Sequence, residues 1–419
     1  MVEIESSKVS LEPIRSIAGE ILARLPDSLR GMDYHEELGK QIKALDDLKR
    51  KSLTESLNSF LLYMRKNEAS DIDIGGAGCD GKIWYRIFGN KSPLKLPQEL
   101  SYKETDVLIH SSITEEQRRK LMEDRNLDFS YSLPTQNGDK AQRFRANSYF
   151  DLEHLALNMR KIDEEIRPFK TLGVHPEVAK ALSLKYFKYG LTLITGITGS
   201  GKSSTLDTII DANNRTVDSH IVIIASPVEL IHKPHRSVVR HREVGRDVTS
   251  FKNGAVQALR QDPDIIVIGE LRDPETIMTT LEITDSGHKT FGTLHTSSAM
   301  ESIERILGEV PTDEQNRVRS RLADVLTGVI SQKLIPSLDG KRVLAKEVLL
   351  VTPSVRAAIR NDNVNEIYQM LAEGSEMGMI TMEQDLKRLF DAGQISKEEA
   401  INNANNKKRL FQLFNDLDY

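Results

Sequence analysis

The chain has 419 residues, 39% hydrophobic and 28% charged, with a net charge of −5. That length accommodates two or three domains with a substantial core, and the mild acidity leaves no electrostatic footprint for nucleic acid or an anionic membrane. A single cysteine, Cys79, excludes an internal disulfide framework and a Cys-rich zinc module, and no apolar run approaches the ~20 residues that span a bilayer. The start, Met1-Val2-Glu3-Ile4-Glu5, lacks the basic and apolar regions of a signal peptide, so a cytoplasmic protein is expected.

Residues 1–66 read as a polar, helical N-terminal extension. Ile14, Ile17, Ile21 and Leu22 recur at helical spacing, as do Leu57, Phe60, Leu61 and Met64. Pro26 and Gly31 should break the first helix. The pattern fits either a docking arm or a lid on the next domain. Residues 67–165 read as a small α/β domain. Residues 70–74 alternate like a strand, 75–81 form a turn, and 82–87 return as a second strand. A helix over 114–124 and strands near 127–132 and 142–149 complete it. Trp84, the only tryptophan, is expected in the core. Pro168 and Gly173 punctuate a linker at 166–173.

From 174 to 353 short apolar runs, at 191–195, 221–225, 265–269, 290–294 and 343–351, alternate with helical segments. That rhythm predicts a largely parallel sheet covered by helices. Residues 354–419 read as small amphipathic helices that include a polar run, Asn402-Asn403-Ala404-Asn405-Asn406-Lys407-Lys408.

The chemistry concentrates in the third segment. Gly196-Ile197-Thr198-Gly199-Ser200-Gly201-Lys202-Ser203 fits the Gly-x-x-x-x-Gly-Lys-Ser/Thr phosphate loop, between an apolar strand and a helix that continues through Ser204. Glycines there let backbone N–H groups turn inward around phosphate oxygens, and the new helix points its positive end at them. Lys202 is expected to reach the β- and γ-phosphates and Ser203 to hold Mg²⁺.

Glu270 ends the run 265–269, where a parallel sheet places it beside the γ-phosphate and its metal. Glu229 follows a second run and is a candidate water-activating base, although a solvated loop carboxylate would read the same. His288 and His295 flank the run 290–294. They lack the spacing and partners of a metal set, and suit phosphate sensing or a structural role. Arg272 is placed to pair with a carboxylate or reach a neighbouring subunit's phosphate.

These pieces, in this order, resemble the secretion ATPase superfamily, and within it the type IV pilus retraction ATPases, the PilT-like motors of twitching motility. The phosphate loop carries the resemblance, with Arg242-Glu243-Val244-Gly245-Arg246-Asp247, Ala258-Leu259-Arg260-Gln261-Asp262-Pro263-Asp264 and Gly269-Glu270-Leu271-Arg272-Asp273. Gly287-His288-Lys289-Thr290-Phe291-Gly292-Thr293-Leu294-His295-Thr296, Ile330-Ser331-Gln332-Lys333-Leu334 and Gly378-Met379-Ile380-Thr381 extend it. Asp128-Phe129-Ser130 and Arg143-Phe144-Arg145-Ala146-Asn147 resemble the family's N-terminal domain.

The resemblance implies a RecA-like P-loop ATPase domain with an N-terminal PAS-like α/β domain and C-terminal helices, assembled as a homo-hexamer. ATP and Mg²⁺ would be its cofactors. Glu270 matches the Walker B glutamate, Glu229 the catalytic glutamate, and His288 and His295 the two His-box histidines. Arg145 and Arg160 occupy the positions from which arginines reach the nucleotide. The implied partners are an inner-membrane pilus platform protein, the pilin machinery and a possible paralogous ATPase. Neither nucleic acid nor direct membrane insertion is implied. The implied location is cytoplasmic, peripheral to the inner-membrane face of the pilus machine.

The chain departs from the family in two places. The family's Glu-Asp-Pro-x-Glu box reads Ala225-Ser226-Pro227-Val228-Glu229 here, with two carboxylates fewer near the metal. Its C-terminal motif reads Ser354-Val355-Arg356-Ala357-Ala358-Ile359-Arg360-Asn361, keeping both arginines. The first departure suits an alternative reading, a nucleotide-binding but hydrolysis-poor ring subunit or regulator beside an active pilus or secretion ATPase.

Overall fold

The computed structural model describes residues 10–87, 90–94, 98–133, 142–162 and 165–415, so the acidic start read as lacking a signal peptide lies outside the described residues. The chain divides into two compact units, one ending at residue 164 and the other starting at 165.

Helices Glu12–Leu22, Gly31–Lys43 and Asp47–Lys66 open the first unit. The Asp46 carboxylate caps the third by accepting from the Lys49 amide at 2.8 Å. Strands follow: β1 (Ala69–Gly75), β2 (Trp84–Ile87), β3 (Asn90–Pro93), β4 (Asn126–Leu133), β5 (Gln142–Asp151) and β6 (His154–Lys161). Between β3 and β4 run helices Tyr102–Ser111 and Glu115–Asp124, each started by a capping box, Ser101 with Glu104 and Thr114 with Gln117. The strands make one antiparallel sheet in the order β3-β2-β1-β6-β5-β4.

Ile14, Leu57, Phe60 and Met64 from the early helices share one core with Ile72, Ile74 and Leu157 of the sheet. A lid packed on its neighbour fits that shared core. Trp84 differs from expectation: it is only half-buried, and its ring N–H donates to the Cys79 carbonyl at 3.2 Å. Tyr85 and Phe60 fill the interior instead. Strand β6 was not foreseen from the sequence, because Leu155-Ala156-Leu157 is an apolar run without the alternation that distinguishes strand from helix.

The second unit is built on a seven-stranded sheet of order β13-β12-β7-β11-β10-β8-β9. Its strands are β7 (Gly190–Thr195), β8 (His220–Ala225), β9 (Val238–Glu243), β10 (Ile265–Ile268), β11 (Lys289–Leu294), β12 (Leu326–Pro336) and β13 (Arg342–Leu350). All pairings are parallel except β12 with β13. Every residue of β7, β10 and β11 is buried, as a strand covered on both faces requires.

Alternate residues feed opposite faces. Leu191, Leu193, Ile266 and Ile268 pack with the helices Pro274–Asp285, Ala299–Gly308 and Gln315–Val325. Ile194, Ile265, Val267 and Phe291 pack with helices Pro176–Leu182 and Lys202–Thr216 on the other side. The segment expected as a linker carries one 3-10 turn, Phe169–Leu172, whose Leu172 is buried in that second layer. Helices Met382–Asp391, Lys397–Asn403 and Lys407–Asn415 close over the β12–β13 hairpin through Ile335, Ala345, Leu386, Ala400 and Leu410.

This last junction holds a buried acid. Glu347 on β13 accepts the Ala299 amide at 2.8 Å. Burial pushes its carboxyl up to about 7, against the pull of that hydrogen bond and of Lys333. A raised folded value means the native state binds the proton more tightly, so stability is full below the ordinary value of 4.5 and falls as pH rises through about 7. Glu347→Gln keeps the acceptor and removes the titration. Melting curves from pH 5 to pH 8 are expected to show wild type losing stability relative to this variant, by up to ~1 kcal/mol per pH unit.

Candidate functional site

A parallel strand delivers whatever follows it to the carboxyl edge of the sheet. Strand β7 delivers the loop 196–201, which turns at once into helix Lys202–Thr216. Gly196 has φ +147° and Gly201 +87°. A Cβ on Gly196 would stand 2.4 Å from both the Gln332 carbonyl and Ser200 Oγ, so the loop can pass there only without a side chain. Gly201 is the N-cap, and no side chain caps the helix. Its first N–H groups are thus left for an anion. Thr198 and Gly199 are exposed on the rim, Ser200 is buried, and Ser203 and Ser204 are exposed on the first helical turn.

The Lys202 ammonium lies within this loop, donating to the carbonyls of Gly196 at 2.7 Å and Ile197 at 3.2 Å. Burial lowers its pKa, and the nearby Glu270 charge opposes that shift. Glu270 emerges after β10 and is mostly buried, with 18% of its side chain exposed. It pairs with Arg272 Nε at 2.6 Å and with His295 Nε2 at 3.1 Å. His295 emerges after β11, beside β10 in the sheet. Burial and the Lys202 charge hold its pKa below the ordinary 6.5, against Glu270. Near neutral pH the ring is therefore uncharged, able to orient a phosphate oxygen or a water without repelling Lys202.

Strand β8 ends at the same edge. A Cβ on Gly269 would meet the Ile224 carbonyl at 3.1 Å and Ala225 Cα at 3.2 Å, so Ala225 packs directly beside the backbone that leads to Glu270. Ser226 is exposed and Glu229 half-buried on the loop that follows. The buried Glu243 carboxylate accepts the Val228 amide at 3.0 Å and fixes that loop.

The edge thus gathers the phosphate loop, Lys202, Glu270, Arg272 and His295. His288 is not among them. It precedes β11, at the opposite edge, about 20 Å away at ~3.3 Å per residue over the six-residue strand. There its ring meets Ser286 Oγ at 3.0 Å and the Ile283 carbonyl at 3.1 Å. Arg145 and Arg160 belong to the first unit, directly opposite each other on β5 and β6. Arg160 Nε donates to Asp71 Oδ1 at 2.7 Å.

Two contributors were missed as site residues. Glu243 is one. The other is Gln332 on β12, whose Nε2 donates to the Ser200 carbonyl at 2.8 Å while its Oε1 is buried without a hydrogen-bond partner. Its neighbour Ser331 bonds Thr195 at 2.7 Å. For Gln332 the signal was the polar pair Ser331-Gln332 inside an otherwise apolar strand, whereas Glu243 stands among charged residues that mask it. A cavity of about 60 Å³ adjoins the loop, lined among others by Arg167, Leu172, Ser204, Thr208, Gln332 and Leu344. Among the described residues no cluster of three His, Cys, Asp or Glu side chains could hold a metal unaided. A hydroxyl at Ser203 and a carboxylate at Glu270 are oxygen donors of the kind a phosphate-bound Mg²⁺ takes.

The model of the type II/IV secretion system protein family matches residues 46–409. The type IV pilus retraction ATPase PilT of Pseudomonas aeruginosa is 38% identical over 82% of this chain and 96% of its own length. The type IV pilus ATPase PilU of the same organism is 33% identical over 76% of this chain and 82% of its own. A crystal structure of the pilus retraction motor PilT with bound ADP superposes with a TM-score of 0.74 at 36% identity, covering 85% of this chain and 98% of that one.

The cradle at Gly196 gives a direct check. Gly196→Ala is expected to weaken binding of a fluorescent ADP analogue by at least roughly thirty-fold, the effect of ~2 kcal/mol of backbone distortion, while far-ultraviolet circular dichroism stays unchanged.

Proposed function

The chain belongs to the type II/IV secretion system protein family, within its type IV pilus retraction ATPases, and from that premise we propose that it is a Mg²⁺-dependent homo-hexameric motor that powers pilus retraction and twitching motility. It is an ATPase, as its family is. The observation that carries the assignment of its site is the meeting of Lys202, Glu270 and His295 at adjacent strand ends, beside an uncapped helix N-terminus.

In this reading the N–H groups of residues 196–204 and the Lys202 ammonium neutralise the β- and γ-phosphates. Ser203 and Glu270 would hold Mg²⁺, which when bound would offset the negative charge of the phosphates. Glu229 orients the attacking water in line with the bond that breaks. His295 steadies the γ-phosphate side, and Arg272 holds the Glu270 carboxylate in place. The recess beside Ser204 and Gln332 takes part of the nucleoside. Arg145 and Arg160 reach a nucleotide from the N-terminal domain, which makes ring assembly a condition of turnover. His288 acts outside its own protomer's phosphate site.

The proposed division is a helical extension over 1–66, a PAS-like domain over 67–165, a linker over 166–173, a RecA-like core over 174–353 and C-terminal helices over 354–419. Turning of one domain against the other would transmit force to an inner-membrane platform protein and the pilin machinery. The motor would work at the cytoplasmic face of that membrane. No described helix is long and apolar enough to cross it.

Steady-state ATP hydrolysis, with oligomer size recorded on the same sample, tests this. Wild type is expected to turn over in Mg²⁺ as a ring. Glu229→Gln should cut kcat by about a hundred-fold or more while ATP still binds, Glu270→Ala should retain unhydrolysed ATP, and Lys202→Ala should lose tight binding. Equal ATP affinity in wild type and Lys202→Ala would sink the site assignment. Binding and ring formation without turnover would favour a subunit that assists an active paralogue, the outcome that Ala225 and Ser226 make worth testing.

A further inference from the structure

The polar run near the C-terminus has no part in the chemistry described so far. It joins helix Lys397–Asn403 to helix Lys407–Asn415, which bury Ala400 and Leu410 in the layer over the β12–β13 hairpin. A connector of this kind needs no specific side-chain contacts. Asn405 nevertheless makes two, although the residue is exposed. Its Nδ2 donates to the Ser297 carbonyl at 3.0 Å, and its Oδ1 accepts from Lys333 Nζ at 2.7 Å. The same ammonium donates to the Asn403 carbonyl at 2.6 Å, one of the carbonyls that a helix end leaves open. On the far side the Asn406 amide donates to the buried Glu383 carboxylate at 2.7 Å. The connector is therefore held at both sides of Asn405.

Both contacts of Asn405 lead to the nucleotide edge. Ser297 lies two residues beyond His295, on the turn that carries that ring away from β11. Ser298 then caps helix Ala299–Gly308, whose first amide is fixed by Glu347. Lys333 lies one residue beyond Gln332, which holds the Ser200 carbonyl of the phosphate loop. Successive side chains of a strand face opposite ways. Gln332 accordingly meets the loop, and Lys333 meets the C-terminal connector. One strand residue and one asparagine thus span the two halves of the site.

We propose that Asn405 is a positioning residue of the ATPase, tying the turn after His295 to β12 so that the ring stays in register with the phosphate loop. This rests on the reading that the edge formed by Lys202, Glu229, Glu270 and His295 hydrolyses ATP. Asn405 contacts Ser297 and Lys333, neither of them a residue assigned to the nucleotide or the metal. Its loss loosens the 295–298 turn while the loop that binds phosphate keeps its own anchor in Gln332. The effect therefore falls on the chemical step more than on binding.

Asn405→Asp separates this role from simple packing. The aspartate keeps an oxygen toward Lys333, forming an ion pair, but has no N–H for Ser297. The full chain and this variant, with Asn405→Ala, Asn402→Ala and Glu229→Gln, are compared for kcat, ATP KM and Tm. Both Asn405 variants are expected to lose about three- to ten-fold in kcat, the size of one neutral hydrogen bond, with KM unchanged within about two-fold. Asn405→Asp should keep the wild-type Tm, and Asn402→Ala, elsewhere in the same exposed run, should behave as wild type. Wild-type kcat in Asn405→Asp overturns the proposal. So does a kcat loss that tracks a fall in Tm or a matching rise in KM. Turnover that survives Glu229→Gln would overturn the underlying site reading and this proposal with it.

Discussion

A parallel strand buried on both faces must satisfy its whole backbone through its neighbours, so its register leaves little freedom in where the chain emerges. Strands β7, β11, β10 and β8 lie side by side with residue-for-residue pairing, Thr195 level with Leu294 and Ile268 level with Ile224. The residues that follow them are therefore brought together before any contact among themselves is needed. The phosphate loop, His295, Glu270 and the loop bearing Glu229 owe their common position to backbone pairing set deep in the sheet. The side-chain contacts at the edge, such as Glu270 with His295, refine an arrangement the strands already impose.

The same constraint explains what the sequence disclosed. Apolar runs at 191–195, 221–225, 265–269 and 290–294 are legible because buried parallel strands need apolar residues on both faces. The phosphate loop is legible because only glycine passes where Gly196 lies against Gln332 and Ser200. What escaped reading depends on partners distant in sequence. Gln332 and Glu243 hold the site's loops from other strands, and nothing in the sequence around them says which loop each one holds. The edge strand β9, Val-Val-Arg-His-Arg-Glu, carries too many charges to stand out as a strand. His288 and His295 look equivalent in sequence, yet the direction of β11 sends one to each edge of the sheet.

The replacement of two box carboxylates by Ala225 and Ser226 falls on a close junction of the edge, where Ala225 packs against Gly269. A small side chain suits that space. Its cost in the proposed site is electrostatic, because two fewer negative charges would be on hand for a metal ion. Glu270 remains, held by Arg272 and His295, and Glu243 keeps the following loop anchored through the Val228 amide. Geometry is thus retained where charge has been removed. The neutral His295 beside Lys202 fits a site that limits its own positive repulsion.

The most direct test of this account is a structure of the protein with a non-hydrolysable ATP analogue and Mg²⁺. The account predicts β- and γ-phosphates wrapped by residues 196–203, with the γ-phosphate between Lys202 and the Glu270–His295 pair. Phosphates bound elsewhere, or a γ-phosphate out of reach of both Glu270 and His295, would contradict it.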